Sequence, residues 1–134
     1  MRYLVMALGT KESEAGPPPK PEDFVAMQKY NEELAKAGIL LAAEGLTASS
    51  EGMRIKFRGD ERIVVDGPYT EAKEFIAGFV ILKVNSKEEV LELVKRAPFA
   101  SRNGEANVEI RRLMDIEDFG ESFTPNAEIA KVKY

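Results

Sequence analysis

The chain contains no cysteine, no histidine and no tryptophan. Without cysteine it has no thiol nucleophile, no disulfide redox chemistry and no thiolate ligand for zinc. Without histidine it has no imidazole to act as a general acid or base, as a member of a catalytic triad or as a metal ligand. Any catalysis therefore depends on aspartate, glutamate, lysine, tyrosine, serine or arginine, or on a bound cofactor.

The charge balance is negative, with 19 lysine and arginine residues against 23 aspartate and glutamate residues and a formal net charge of −4 at pH 7. Nucleic-acid-binding surfaces are usually basic, and RNA readers add an aromatic-rich strand signature, which is missing here although Tyr3 and Phe79 lie on strands. No apolar run reaches the roughly 20 residues that a membrane-spanning helix requires. The apolar N-terminus is short and lacks a small-residue cleavage site. We therefore expect a cytoplasmic protein with neither nucleic acid nor membrane as a partner.

A length of 134 residues fits one domain with one hydrophobic core. The sequence shows no internal repeat and no linker. We assign residues 1–120 to a single domain and residues 121–134 to a C-terminal tail. Residues 10–20 contain a glycine and a run of three prolines, which predicts a loop over the surface.

Hydrophobic periodicity predicts the secondary structure. A helix is expected from Pro21 to the left-handed stop at Gly38, with an apolar face that includes Met27 and Asn31. A second helix begins at Ser86, whose spacing from Glu89 is that of a capping box. A helical turn is expected within residues 70–75. Strands are expected at residues 3–8, 39–43, 53–57, 63–65, 78–84 and 108–111.

The order of these elements is βαββαβ with an inserted β-hairpin, which predicts an α+β, ferredoxin-like fold. Two helices cover only one face of such a sheet. Residues 79–82 and 39–43 are nevertheless apolar at both odd and even positions, so both of these strands are expected to be buried on both faces. A second copy of the same sheet is the simplest way to cover the other face, and we therefore predict a homodimer.

Residues 65–74 (Val-Asp-Gly-Pro-Tyr-Thr-Glu-Ala-Lys-Glu) are similar to the pattern of DGPF-domain proteins, with Tyr69 at the position where phenylalanine is usual. The same pattern is matched in register at residues 30–34, 43–46, 76–79, 108–111 and 117–121. The chain thus resembles the YCII-related, DGPF-domain family over nearly its whole length. The resemblance implies a cytoplasmic, dimeric α+β barrel of unsettled biochemical function. Some relatives are encoded beside sigma factors, which hints at a regulatory role.

One position departs from the family pattern in a way that bears on chemistry. Relatives often carry a histidine after the Glu-Gly-Leu of residues 44–46, whereas this chain has Thr47. A His/Asp pair has been proposed to act in YCII-type proteins, and this chain cannot form one. The enzymatic role proposed for the wider group is therefore not carried over to it.

Ionisable residues cluster around the turn that follows residue 65. Asp66 ends a strand before a Gly-Pro pair, where its carboxylate either serves a functional site or closes an Asx turn. Lys73 lies between Glu71 and Glu74, and a lysine among carboxylates either transfers protons or belongs to a solvated face with weak ion pairs. Both interpretations remain open for each residue.

A second group of charged residues belongs to the predicted sheet. Glu44 follows the apolar run at residues 39–43, where a carboxylate needs a partner. Glu109 and Arg111 are two apart on a strand and share a face, so they face a partner subunit or a central cavity if their apolar neighbours face the helices. Arg111 then either holds an anionic ligand or neutralises Glu44 or Glu109.

Carboxylates alone offer oxygen ligands to magnesium, calcium or manganese, but no ligand spacing singles out a site, and we expect no metal and no cofactor. The chain is predicted to bind a small molecule in an apolar pocket of the dimeric barrel, either as a ligand binder or as a histidine-independent enzyme. The alternative is a non-catalytic regulatory or partner-binding dimer, in which the predicted loop and tail engage another protein. The candidate ligand-binding residues are Asp66, Glu44, Lys73, Glu71, Arg111 and Glu109.

Overall fold

A computed structural model describes residues 1–18, 20–69, 71–99, 105–120 and 132. The described chain has the mixed α+β class that its sequence predicts. In chain order the elements are β1 (Arg2–Gly9), α1 (Lys11–Ala15), α2 (Pro21–Lys36), β2 (Leu40–Gly45), β3 (Met53–Arg58), β4 (Glu61–Asp66), β5 (Phe75–Lys83), α3 (Lys87–Lys95) and β6 (Asn107–Arg112). Single 3-10 turns lie at Ser49–Glu51 and Ile116–Phe119.

Four strands form one sheet in the order β2-β5-β1-β6, and every neighbouring pair is antiparallel. Strands β3 and β4 form a separate antiparallel hairpin. This arrangement is consistent with the α+β ferredoxin-like fold and the inserted hairpin that the sequence predicts. The sheet does not close into a barrel within the described residues. A barrel needs a second sheet, so the dimer stays a prediction.

Helices α2 and α3 cover one face of the sheet. Their buried side chains join alternate residues of the two central strands, because side chains in a strand alternate between faces. The core cluster consists of Tyr3, Val5, Leu34, Leu82, Val84, Val90 and Leu93. Each fully buried aliphatic side chain of this kind contributes about 1.5–3 kcal/mol to the free energy of unfolding. Val108 and Ile110 of β6 pack against the same cluster.

The opposite face of the sheet, which we call the open face, is also apolar at its centre. Met6 and Ile81 lie there and are only 6% and 5% exposed. Because Ile81 and its neighbour Leu82 are both buried, β5 is buried on both faces at this point, as the sequence predicts. The same prediction for residues 39–43 depends on a second copy and stays a prediction. In the single chain residues 39–42 are half-buried and Ala43 is exposed.

Helix boundaries follow the local signals closely. Helix α2 begins with Pro21, and Gly38 follows it with a φ of 75°, in the left-handed region that glycine tolerates. At α3 the hydroxyl of Ser86 accepts a hydrogen bond from the backbone N–H of Glu89 at 3.1 Å. The carboxylate of Glu89 accepts from the N–H of Asn85 at 2.9 Å rather than from Ser86, so only half of the predicted capping box forms.

The prediction of an unbroken loop over residues 10–20 is wrong, because α1 forms there. The Thr10 side chain accepts from the N–H of Ser13 at 3.1 Å, and the Ser13 hydroxyl accepts from the N–H of Thr10 at 2.7 Å. This reciprocal pair stabilises a five-residue helix just before the prolines. The described part of residues 70–75 contains turns and a bend, and β5 begins at Phe75. The predicted tail at 121–134 lies outside the described residues, apart from residue 132.

Candidate functional site

A cleft of about 440 Å³ lies between the helices and the covered face of the sheet. Its walls come from β1, β2 and β5 below, α2 above, and the end of α3 with the residues that follow it. The wall is almost wholly apolar. Among the described residues, the polar ones along it are Tyr30, Asn31 and Glu44.

Two glycines face each other on the floor of the cleft. Gly45 of β2 pairs with Gly78 of β5, next to the pair formed by Ala43 and Val80. A Cβ atom added at Gly45 would meet no atom within 4 Å, and one added at Gly78 would approach the Glu44 carbonyl oxygen at 3.0 Å. The sheet therefore contributes no side chain at this point, and the absence of side chains leaves the space that the cleft occupies.

Helix α2 forms the roof of the cleft and packs tightly at only one end. Leu34, near its C-terminus, is 6% exposed and belongs to the core cluster. Phe24, in the N-terminal half, is 62% exposed although it lines the cleft. Met27 lies between them, one helical turn from Phe24, and faces the same side. The N-terminal half of α2 thus stands clear of the sheet, which leaves the cleft open there.

The hydroxyl of Tyr30 is committed to a structural hydrogen bond. It donates to the carbonyl oxygen of Leu93 at 2.5 Å and so joins α2 to α3. Burial raises the pKa of the Tyr30 phenol, and the positive charge of Arg96 opposes part of this shift. The phenol therefore stays protonated at neutral pH and holds its place in the wall.

The neighbouring side chain, Asn31, has no such partner. Its Oδ1 atom is buried, and no described residue donates a hydrogen bond to it. Leaving a buried polar atom without a hydrogen bond costs about 1–3 kcal/mol. Because no surface of Oδ1 is accessible, this atom is a local cost to stability rather than a group that the cleft presents to a ligand.

Glu44 lies in β2 rather than after it, which differs from the expected strand end at residue 43. It pairs with Phe79, and its side chain alternates to the open face, away from those of its neighbours Ala43 and Gly45 on the covered face. The side chain is exposed and forms no ion pair within the described residues. Glu44 therefore borders the cleft mainly through its backbone.

Glu109 and Arg111 lie with Glu44 on the open face of the sheet. Glu109 is opposite Met6, and Arg111 is opposite Leu4. The Arg111 Nε atom lies 4.0 Å from Glu109 Oε2, and both side chains are exposed. The structure thus brings Arg111 to Glu109 and forms no pair between Arg111 and Glu44 among the described residues. Exposed pairs of this kind contribute little to stability.

The other candidates lie around the turn after the hairpin. Asp66 is the last residue of β4, and its exposed carboxylate accepts no hydrogen bond within the part of the chain that the structure describes, so no Asx turn forms there. Glu71 Oε1 lies 3.6 Å from Arg54 Nη1, and both side chains are exposed. Lys73 is exposed. Of the candidate residues only Glu44 borders the cleft.

The glycine of the Asp-Gly-Pro-Tyr turn has a clear structural role. The Gly67 N–H donates to the Gly52 carbonyl oxygen at 2.9 Å, and a Cβ atom on Gly67 would lie 1.9 Å from the Ser49 carbonyl oxygen. Ser49 is itself held by Glu14, whose carboxylate accepts from the Ser49 N–H at 2.8 Å and from its hydroxyl at 2.7 Å. The turn therefore packs against Ser49 and Gly52, which lie before the β3–β4 hairpin in the chain.

Tyr69 completes this turn, and its ring and its hydroxyl differ in their contacts. The Arg54 guanidinium lies 3.8 Å from the centre of its ring, a cation–π contact. Its hydroxyl is buried and has no hydrogen-bond partner among the described residues. The ring thus stabilises the junction of hairpin and turn, while the hydroxyl contributes no hydrogen bond to it.

A bidentate ion pair that the sequence does not single out secures the segment after β6. The Arg112 guanidinium donates two hydrogen bonds of 2.8 Å to the Asp118 carboxylate. The hydrogen bond from Arg112, aided by the N–H of Asp115, lowers the pKa of the Asp118 carboxyl to about 2. This pair holds the 3-10 turn at Ile116–Phe119 against the sheet.

The residues that define the cleft were largely missed from sequence. The position of Asn31 within an apolar helical face was a usable signal, because a polar residue among core positions needs either a partner or a ligand. Gly45 and Gly78 gave no such signal. They are far apart in sequence, and only the strand register places one opposite the other.

The structural class of this protein is an α+β fold in which the helices leave an apolar cleft above a four-stranded antiparallel sheet. The family model for the YCII-related domain matches residues 1–114. The chain therefore belongs to the YCII-related family, as the motif around residue 66 implies. No curated protein matches the chain.

The described residues contain no cluster of three or more aspartate, glutamate, histidine or cysteine side chains placed to hold a metal ion. None of the helices in the described ranges is both long enough and apolar enough to cross a membrane.

Proposed function

We propose that this protein binds a small apolar molecule in the cleft between α2 and the sheet. The observation that carries the proposal is the floor formed by Gly45 and Gly78, where two facing glycines leave a space that the covering helix does not fill. A cavity of about 440 Å³ with an apolar wall has the size and character of small-molecule sites.

The wall of the cleft favours binding over catalysis. Its ionisable side chains among the described residues are Tyr30, which is committed to the Leu93 carbonyl, and Glu44, whose carboxylate alternates to the other face of the sheet. A general acid or base must lie within hydrogen-bond reach of the proton that it transfers. The proposed role is therefore that of a ligand-binding protein rather than a histidine-independent enzyme.

We also propose that two copies pack through their open faces to form a dimeric α+β barrel. The proposal rests on the apolar character of the open face around Leu4, Met6 and Ile81 and on the frequency of symmetric homodimers. Met6 and Ile81 are already only 6% and 5% exposed in the single chain, so the new contact area would come from the residues around them. Glu109 and Arg111 would then lie at the subunit interface. The cleft is on the covered face, so each subunit would hold its own ligand.

Fluorescence titration with N-methylindole tests the cleft directly. The chain lacks tryptophan, so emission excited beyond tyrosine absorption comes from the probe alone. We expect saturable binding with one site per chain. Gly45→Leu places a side chain in the cleft without meeting backbone and should weaken binding at least about tenfold.

Ala26→Leu is the matched control, because Ala26 is exposed on α2 and lies outside the cleft wall. It should bind N-methylindole as the unmodified chain does, and far-UV circular dichroism should show the same fold for both variants. Equal binding by Gly45→Leu and by the unmodified chain would refute the cleft as the site.

A second candidate function is that of a non-catalytic, partner-binding dimer, and the hairpin favours it. Met53, Ile55 and Phe57 share one face of β3, and Phe57 is 68% exposed. Exposed apolar surface of this kind often marks a protein interface. If the hairpin belongs to the dimer interface, sedimentation equilibrium should show weaker dimers for Phe57→Ser. If it serves a different partner, dimerisation should be unchanged.

A further inference from the structure

Arg96 follows the last residue of α3 and lies beside the wall of the cleft. Its backbone N–H donates to the carbonyl oxygen of Leu93 at 3.2 Å, and the Tyr30 hydroxyl of the cleft wall donates to the same oxygen. Val94, two residues before Arg96, and Ala97, directly after it, both line the cleft. The backbone of Arg96 is therefore held next to a polar group of the cleft wall.

The positive charge of Arg96 acts on the cleft wall from a solvent-exposed position. The residue is exposed, and its charge opposes the effect of burial on the pKa of the Tyr30 phenol. Charges in salt solution act on one another only over short distances, so the guanidinium lies near this phenol. Within the described ranges of the chain it forms no ion pair with a carboxylate. Its charge is thus available to a ligand at the edge of the cleft.

The interior of the cleft accepts apolar groups rather than charged ones. Its described lining residues include no lysine, arginine or aspartate, and Glu44 directs its carboxylate to the open face of the sheet. Moving a charged group into an apolar wall without a partner is strongly unfavourable. The apolar part of a ligand therefore enters the cleft, while a charged part stays outside in solvent, where the nearby charge is that of Arg96.

From these observations, and resting on the proposed binding function, we infer that the ligand is an amphipathic carboxylate. Its apolar body fills the cleft, and its carboxylate pairs with Arg96 at the edge. A guanidinium presents parallel N–H donors that match the two oxygens of a carboxylate. Because Arg96 is exposed, the carboxylate keeps part of its hydration and avoids the cost of burying a charge.

Arg96 also has a structural role, which ligand binding must be distinguished from. A cation at the C-terminal end of a helix stabilises that helix through its dipole. Loss of this effect alone would lower stability and leave the relative affinities of two ligands unchanged. An ion pair with the ligand instead makes a carboxylate bind about threefold to tenfold more tightly than a neutral ligand of the same shape, a range between exposed and bidentate pairs.

The matched probes are N-methylindole carrying a propionate side chain and its propionamide counterpart, which share a fluorophore and a shape and differ in charge. Fluorescence titrations of the full chain at low ionic strength should give about threefold to tenfold tighter binding for the propionate. About 0.5 M sodium chloride should reduce this preference, because exposed charges are screened.

Two variants assign the preference to one cation. Arg96→Gln removes the charge and should bring the two affinities together, while binding of the propionamide persists and shows that the cleft is intact. Lys95→Gln is the matched control, because Lys95 is the neighbouring cation and its Nζ atom lies 3.5 Å from Glu92 Oε1. This variant should keep the preference for the propionate.

The outcomes separate this inference from the binding function on which it rests. Equal affinity of the two probes for the unmodified chain would overturn the carboxylate ligand while leaving the cleft proposal standing. A propionate preference that persists in Arg96→Gln would overturn the role of Arg96. If neither these probes nor N-methylindole itself binds the unmodified chain, the binding function fails, and the inference fails with it.

Discussion

Tyr30 and Leu93 connect the two helices that cover the sheet, through a hydrogen bond of 2.5 Å from the tyrosine hydroxyl to the leucine carbonyl oxygen. The bond lies in the C-terminal half of α2, which is the half that packs on the core. Beyond it, towards Phe24, the helix stands clear of the sheet. The contact thus fixes the height of the roof above the cleft.

Removing the Tyr30 hydroxyl should destabilise the protein, whereas removing the buried Tyr69 hydroxyl should not. Tyr30→Phe is expected to lower the free energy of unfolding by about 1 kcal/mol, because the Leu93 carbonyl loses its donor. Tyr69→Phe should leave it within about 0.5 kcal/mol or raise it, since the Tyr69 hydroxyl is buried without a partner. Urea unfolding followed by circular dichroism measures both. Equal losses in the two variants would contradict this assignment.

Adding a methyl group to two glycines should have opposite effects on stability. Gly67→Ala should lower the free energy of unfolding by about 3 kcal/mol, because its Cβ would lie 1.9 Å from the Ser49 carbonyl oxygen and the backbone must shift.

Gly45→Ala is the comparison for this substitution. It should raise the free energy of unfolding by about 0.5–1 kcal/mol, since alanine loses less conformational entropy than glycine in a strand and its Cβ meets nothing within 4 Å. Thermal unfolding of both variants checks the pair. A tolerated Gly67→Ala would mean that the turn does not pack against Ser49.

The Asp118 carboxyl should titrate at unusually low pH. The hydrogen bonds from Arg112 lower its pKa from 3.8 to about 2, so the ion pair stabilises the folded chain above pH 3.8 and loses its effect as the pH falls through about 2. The measurement is the pH dependence of the Asp118 side-chain carbon shift. In Arg112→Met the pKa should return towards 3.8, and an unchanged value would show that Arg112 is not the cause.

Charge on the open face should prevent dimerisation. Leu4→Glu places a carboxylate beside Ile81 at the centre of the proposed interface and should convert the sedimenting species from dimer to monomer. Leu91→Glu introduces the same change at an exposed position on α3 and should leave the dimer intact. Sedimentation equilibrium of both variants measures whether each is a dimer or a monomer. A monomeric unmodified chain would contradict the sheet-to-sheet proposal.

Elements with local signals are predictable from the sequence. Alternation in β3, proline at the start of α2 and glycine after its end each act within a few residues, and the structure follows them. The short helix α1 was missed because the prolines after it dominate the composition, while the reciprocal Thr10–Ser13 cap that forms it is a weaker signal.

The candidate site depends on relationships that a sequence does not display. The Asp-Gly-Pro-Tyr motif marks the family, but the contact that requires its glycine comes from Ser49 through tertiary packing. Charged candidates such as Asp66 and Lys73 stand out in a sequence because charge suggests chemistry. The cleft instead depends on the pairing of Gly45 with Gly78, which follows only from strand register.

Isotope-filtered nuclear Overhauser spectroscopy of the chain with bound N-methylindole tests the central claim most directly. The cleft account predicts contacts from the probe to the methyl groups of Met27, Val80 and Val94, which line the cleft. Contacts only to the exposed hairpin methyl groups of Met53, Ile55 and Val64 would contradict it, because the probe would then be bound to surface rather than to a site.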